Sequence, residues 1–130
     1  MLCDCPVLAL PHPDHPFVIC ADASDKAIGA VLNQNIQGLR PLYYISRLLT
    51  SAERNYTTTE RECLAIVFAL KKWRQFIMGK PITLYTDHEA LVHLMNRRDV
   101  GQSASKRLNC WYALIREYDV NVKYVSGKLN

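Results

Sequence analysis

The chain has 130 residues, 49% of them hydrophobic, with 16 Lys and Arg against 12 Asp and Glu for a formal net charge of +4. That length favours one domain with one core, and the apolar content argues against disorder. No apolar run reaches the roughly 18 residues that a membrane helix requires, and Met1-Leu2-Cys3-Asp4-Cys5-Pro6 lacks the basic start and apolar stretch of a signal peptide. The chain is therefore expected to be neither membrane-spanning nor secreted. Five cysteines make an odd count, and Cys3 and Cys5 are not spaced as a CxxC pair, so a zinc site is poorly supported. Reduced thiols in a cytosolic or nuclear setting fit best, with Cys20, Cys63 and Cys110 as core filler.

Residues 1–15 read as a lead-in segment, because Pro6, Pro11, Pro13 and the following Pro16 bar a helix or a central strand. Strands are predicted at about 17–22, 28–34 and 39–46, with a turn at Ala23-Ser24-Asp25-Lys26 and a hairpin turn at Asn35-Ile36-Gln37-Gly38. Three strands in quick succession suggest an antiparallel meander. Thr50-Ser51-Ala52-Glu53 has capping-box spacing for a short helix. The main helix is predicted over about 58–78, from Ile66, Leu70, Trp73 and Ile77, and ends at Gly79 and Pro81. A strand at about 82–86, a short helix at 88–95, a polar basic loop at 96–104, an amphipathic helix at 105–117 and a strand at 120–125 complete the pattern. The order βββ-α-β-α-α-β argues an α/β (mixed α+β) fold: a five-stranded mixed sheet, three antiparallel strands first, with helices packed on it. Ser126-Gly127-Lys128-Leu129 is a turn followed only by Asn130. Either the domain is complete with a loose tail or the chain stops before a final helix.

Three acids stand at the ends of hydrophobic segments: Asp22 after Phe17-Val18-Ile19-Cys20-Ala21, Glu62 before Cys63-Leu64-Ala65-Ile66-Val67, and Asp87 after Ile82-Thr83-Leu84-Tyr85-Thr86. Carboxylates are costly beside apolar surface unless something pairs them, and hard oxygen donors suit Mg²⁺. Taken singly, Asp22 reads as an Asx-turn residue and Asp87 as a helix N-cap. Glu60 competes with Glu62. Glu62 lies one turn before Ile66, at the edge of the face that packs on the sheet. Glu60 lies off that face and closes a capping box over Thr57-Thr58-Thr59-Glu60. A rival frame, with Thr59 as cap and Glu62 as its partner, stays open. Direction along the helix favours Glu62. Asp25, Glu89 and His88 read as surface residues, although His88 is within reach of a substrate role. Cys63 has no base or partner for nucleophilic catalysis.

The basic residues cluster. Lys71, Lys72 and Arg74 stand at one helix end, and Arg97, Arg98, Lys106 and Arg107 lie in and around one loop. A solvated face would explain them equally; beside an acidic site they would suit a polyanion.

These residues resemble a family. Ala21-Asp22-Ala23-Ser24 with Ile28-Gly29-Ala30-Val31-Leu32 and Gln34, Asn55-Tyr56-Thr57-Thr58-Thr59-Glu60-Arg61-Glu62-Cys63-Leu64-Ala65, Tyr85-Thr86-Asp87-His88 with Leu91, and Tyr124-Val125-Ser126-Gly127-Lys128-Leu129-Asn130 occur in order with family-like spacing. Together they are similar to the RNase H domain of gypsy-type LTR retrotransposon reverse transcriptases. The likeness runs from about residue 6 to the end. It implies an RNase H-like fold whose final helix is missing here. Residues 1–15 would be the tail of the preceding reverse-transcriptase or connection region, and residues 16–130 the domain.

The resemblance further implies an endoribonuclease that cleaves the RNA strand of RNA–DNA hybrids. Asp22, Glu62 and Asp87 would be its catalytic residues and the ligands of two Mg²⁺ ions, with Mn²⁺ as a substitute. Ser24, Lys71, Lys72, Arg97, Arg98, Lys106 and Arg107 are the candidates for nucleic-acid contact. Partners would be the hybrid and the reverse-transcriptase domain of the same polyprotein, in the cytoplasm or an intracellular particle. The family's fourth aspartate would follow Asn130, and no histidine stands near Tyr124 and Val125. A truncated or domesticated remnant that binds nucleic acid or a partner without cutting is the alternative. No paired-aspartate polymerase motif is present, so polymerase activity is not expected in this chain.

Overall fold

In the computed structural model the described residues are 3–4, 15–36, 38–89, 92 and 106–125. The strands are β1 (Cys3–Asp4), β2 (Phe17–Ala23), β3 (Ala27–Asn35), β4 (Leu39–Leu48), β5 (Ile82–Thr86) and β6 (Val120–Tyr124). The helices are α1 (Thr58–Lys72), α2 (Arg74–Ile77) and α3 (Lys106–Ile115), with a 3₁₀ turn at Glu53–Asn55. One mixed sheet has the order β1-β4-β3-β2-β5-β6. β2, β3 and β4 form the expected antiparallel meander, and β5 and β6 add in parallel to β2. The predicted lead-in segment does contribute one edge piece. Cys3 and Asp4 pair antiparallel with Ser46 and Ile45, which an edge position permits despite the prolines that follow.

Alternation along the strands explains why one face is covered. Ile19, Ala21, Ile28, Ala30, Leu32, Leu84 and Val122 are all buried, and they join Ala65, Ile66, Ala69 and Leu70 of α1 in one core. α1 packs principally on β2, β3 and α3. Each fully buried side chain of Leu or Ile size stabilises this layer by about 2–3 kcal/mol relative to exposure. A bulge in β4 between the partners of Leu32 and Asn33 lets Leu42 turn inward, fully buried.

The main helix is not continuous to residue 78 as predicted. Trp73 leaves helical geometry (φ −106°, ψ 18°), and α2 restarts behind it. No proline or glycine causes the break. The side chains of Trp73 and Ile77, at and after the break, are both buried in the core. Gly79 then turns the chain at φ 81°, a conformation that other residues resist. The short helix predicted after Thr50 is the 3₁₀ turn. Its reciprocal bonds form as the spacing implies: the Thr50 amide donates to Glu53 Oε1 (2.9 Å) and the Glu53 amide to Thr50 Oγ1 (3.2 Å). Of the predicted helix at 88–95 only Val92 among residues 90–95 is described, where its amide donates to the His88 carbonyl at 3.4 Å. Residues 96–104, including Arg97 and Arg98, lie outside the described residues.

Glu53 also receives two bonds from Arg47, at 2.7 and 3.0 Å, and the guanidinium lies over the Phe68 ring. The Arg47 guanidinium, opposed by partial burial and aided by Thr50, lowers the Glu53 carboxyl to about 2. Its folded pKa lies below the unfolded one, so the stabilisation is complete above about pH 4.5 and is lost as pH falls through about 2. Glu53→Gln is expected to cost about 1 kcal/mol at neutral pH, solvent screening discounting the pair, and to flatten that acid limb. Chemical denaturation from pH 2 to 7 measures both; parallel curves for the two proteins would refute the contribution.

Candidate metal centre

The parallel pairing of β2 with β5 sets the first two acids side by side. Cys20 faces Tyr85 in that register, and Asp22 and Asp87 each come two residues later. Both carboxylates are exposed at the same end of the sheet. Asp22 Oδ1 accepts the Ala23 amide at 2.9 Å. The turn that follows is held by Ser24, whose hydroxyl accepts from the Lys26 and Ala27 amides (3.2 and 3.1 Å) and contacts the Ala27 carbonyl at 3.3 Å. Ser24, expected as a nucleic-acid contact, is thus engaged in tying this turn.

The third acid comes from α1, and the capping residues decide its direction. Thr57 is the N-cap: its Oγ1 accepts the Glu60 amide (3.1 Å), and Glu60 Oε1 accepts the Thr57 amide (2.9 Å). The frame with Thr59 as cap does not form. Glu60 Oε2 instead pairs with Arg107 Nη1 at 3.0 Å, and the Arg107 guanidinium lies 4.0 Å from the Tyr56 ring centre. Glu60 is therefore buried beneath α3. Two residues on, about 200° around the helix, Glu62 turns to the sheet end.

One carboxylate oxygen from each of Asp22, Glu62 and Asp87 lies within 4.8 Å of the other two. Glu62 is 6% exposed, and its Oε2 is buried with no hydrogen-bond partner among the described residues. Burial, then the charges of Asp87 and Asp22, push the Glu62 carboxyl up to about 8, against the smaller opposing pulls of the Ala23 amide and Arg61. An oxygen-only donor set with an orphaned buried atom fits a hard divalent cation.

Beside the trio a cleft of about 570 Å³ opens on the sheet face opposite α1. Asp22, Gly29, Tyr44, Ser46, Tyr85 and Asp87 are among its lining residues, while Glu62 reaches the shared edge from the helix side. Gly29 faces Asp22 across the ladder, and a Cβ there would come 3.3 Å from the Ile45 carbonyl oxygen. The bare position keeps the strands close and the cleft floor open.

The basic candidates are dispersed. Lys71 and Lys72 are exposed in the last turn of α1, nine and ten residues beyond Glu62 and hence about 13–15 Å along the axis. Lys106 is exposed at the start of α3, and Arg107 is engaged with Glu60. One contact had no signal in the sequence. Thr59 Oγ1 and His88 Nε2, 29 residues apart, are 2.9 Å from each other.

The meander, the parallel addition of β5 and β6 and the helix across one face define an RNase H-like fold. Solved structures agree. The native protease-reverse transcriptase of Prototype Foamy Virus superposes with a TM-score of 0.74 at 19% identity, over 92% of this chain and 16% of that one. An LC11-RNase H1 in complex with an RNA/DNA hybrid gives 0.66 at 18% identity, over 85% of each.

The sequence profile of the RNase H-like domain found in reverse transcriptase matches residues 12–118, and the chain belongs to that family. It is 42% identical over its full length to the retrovirus-related Pol polyprotein from transposon opus of Drosophila melanogaster, and 39% identical over 95% of its length to that from transposon gypsy of the same organism. The chain spans 13% and 11% of those two relatives. Among the described residues no helix is long and apolar enough to cross a membrane.

Proposed function

We propose that this chain is the metal-dependent endoribonuclease domain of a retrotransposon Pol polyprotein, cutting the RNA strand of RNA–DNA hybrids. The observation that carries this is the buried Glu62 carboxyl, whose Oε2 has no hydrogen-bond partner among the described residues, gathered with two further carboxylates. Folding has gathered three carboxyl groups whose full ionisation is disfavoured without a cation, as the raised Glu62 carboxyl reflects. Asp22, Glu62 and Asp87 would hold two Mg²⁺ ions, or Mn²⁺ in their place. Bound there, such a pair supplies a hydroxide-like nucleophile and stabilises the leaving oxygen of a phosphodiester.

The protein's own part is placement. Glu62 is fixed by burial, and the exposed Asp22 and Asp87 present their oxygens to a phosphate approaching along the sheet end. The cleft floor at Gly29, walled by Tyr44 and Tyr85, offers a shallow surface suited to backbone shape and 2′-hydroxyl contact without base readout. Lys71, Lys72, Lys106, Arg97 and Arg98 are the candidates for phosphates further along the duplex. The reverse-transcriptase region of the same polyprotein would be the domain's neighbour, within the cytoplasm or an intracellular particle.

The test is cleavage of a labelled RNA–DNA hybrid in Mg²⁺, in Mn²⁺ and in EDTA, run beside a longer segment of the parent polyprotein. Cation-dependent cutting of the RNA strand is expected. Hybrid binding by both proteins with cutting by neither would replace the enzyme with a non-catalytic nucleic-acid-binding module. Binding is also expected to weaken as salt rises, by several-fold between about 50 and 200 mM; a flat response would remove phosphate contacts from the account.

A further inference from the structure

We infer that the Thr59–His88 hydrogen bond is a clamp that positions Asp87 against Glu62; the inference rests on the reading of the trio as a cation site.

The ladder does not hold Asp87. β2 and β5 are last paired at Cys20 and Tyr85, and β5 is last paired with β6 at Thr86 and Tyr124. One further bond, from the Val125 amide to the Thr86 carbonyl (2.9 Å), closes the strand. Asp87 comes after all of these and is exposed. The helix that carries Glu62 is registered on β2 and β3, which fixes Glu62 against Asp22. That packing leaves the end of β5 to be placed by other means.

The Thr59–His88 bond supplies them. Thr59 stands in the first turn of α1, three residues before Glu62 and so on the same side of the helix. His88 directly follows Asp87. The 2.9 Å contact between Thr59 Oγ1 and His88 Nε2 therefore ties the helix face of one carboxylate to the backbone of another. A second bond stiffens the tie: the His88 amide donates to Oγ1 of Thr86, whose side chain is buried. The Thr59 hydroxyl is not needed as a cap, because Thr57 and Glu60 fill that role. The tie opposes a definite force. The two exposed aspartates bring like charge to one place beside the buried Glu62 carboxyl, and Asp87 at a strand end is the member that can swing away. His88 and Thr59 act through Asp87; they are positioning residues and need not touch substrate.

The experiment uses the full 130-residue chain with Thr59→Val, which keeps the shape and removes the hydroxyl, Thr59→Ser, which keeps the hydroxyl, His88→Ala, and the Thr59→Val/His88→Ala pair. Amide hydrogen exchange in EDTA reads the clamp without any cation. Exchange at the His88 amide, bonded to Thr86 Oγ1, is expected to quicken about tenfold in Thr59→Val, with Ile19 and Leu84 unchanged and with Thr59→Ser like the wild type. Mn²⁺ affinity, followed by calorimetry, should fall about tenfold in Thr59→Val and recover in Thr59→Ser. The double variant should be no worse than either single one. Unchanged exchange at His88 overturns the clamp, and so do additive losses in the pair. Faster exchange throughout the core of Thr59→Val would also overturn it, as the mark of a merely structural residue. If the wild type binds no Mn²⁺, the proposed function falls, and the exchange measurement alone decides the clamp.

Discussion

Glu62→Gln is expected to abolish cation-dependent cleavage, by at least about a hundredfold, and at the same time to make the cation-free chain more stable. Loss of activity with gain of stability is the combination that a merely structural glutamate does not give. Burial and the two aspartates raise the Glu62 carboxyl to about 8. Its folded pKa lies above the unfolded one, so its stabilising contribution is complete below about pH 4.5 and is lost as pH rises through about 8. Glutamine has no such slope. The variant's advantage should be absent near pH 4, grow through neutrality to about 2 kcal/mol and level off above pH 8. Added Mg²⁺ should narrow or reverse the gap, because it stabilises only the protein that binds it. Thermal denaturation from pH 4 to 9, with and without Mg²⁺, measures this. Glu60→Gln is the control: it loses part of the capping box and the Arg107 pair, and should cost stability while sparing cleavage. Greater damage to cleavage from Glu60→Gln than from Glu62→Gln would reverse the assignment.

Arg107→Ala is expected to act on the fold and hardly at all on nucleic-acid binding. Arg107 bridges α3 to the start of α1 through Glu60 Oε2 and covers the Tyr56 ring, which in turn lies 6.0 Å from Trp111. Removing it takes the Arg107 ion pair from a nearly buried Glu60 carboxylate. About 2 kcal/mol is the expected loss, less than for a fully buried pair because Arg107 is itself 44% exposed. Lys106→Ala, next door and exposed, should leave stability unchanged and weaken hybrid binding at low salt. Denaturant midpoints and a salt series of hybrid affinities separate the two. Equal losses of hybrid affinity would return Arg107 to the phosphate contacts.

Much of this fold is written locally. Short runs of strand-forming residues bounded by turn residues mark 17–22, 28–34 and 82–86, and the strands begin and end within about two residues of those bounds. The capping box at Thr57 and Glu60 is equally local, since both halves lie within one helical turn. The break at Trp73 is not. Nothing in 58–78 disfavours one continuous helix, and the break falls where Trp73 and Ile77 are buried in a core whose position the helix sequence does not encode. The fate of Arg107 was hidden for a similar reason. Neighbouring lysines and arginines look alike in a sequence, and only the packing of α3 on α1 distinguishes an ion-pair partner from a solvated charge.

What the sequence by itself determined is which residues could form the site: two strand-end aspartates, a glutamate whose helical direction faces the sheet, and motifs in an order that marks the family. The placing of the three acids follows from periods of two and 3.6 and from residue chemistry, which act over a few neighbours, and the family follows from the resemblance of the motifs. Only the tertiary structure decided how close the carboxylates come, that Glu62 keeps a buried oxygen with no partner among the described residues, and that Thr59 meets His88 across 29 residues. Proximity between distant segments is set by sheet register and by the seat of a helix upon it. Both emerge from many contacts at once, and no short stretch of the chain carries them.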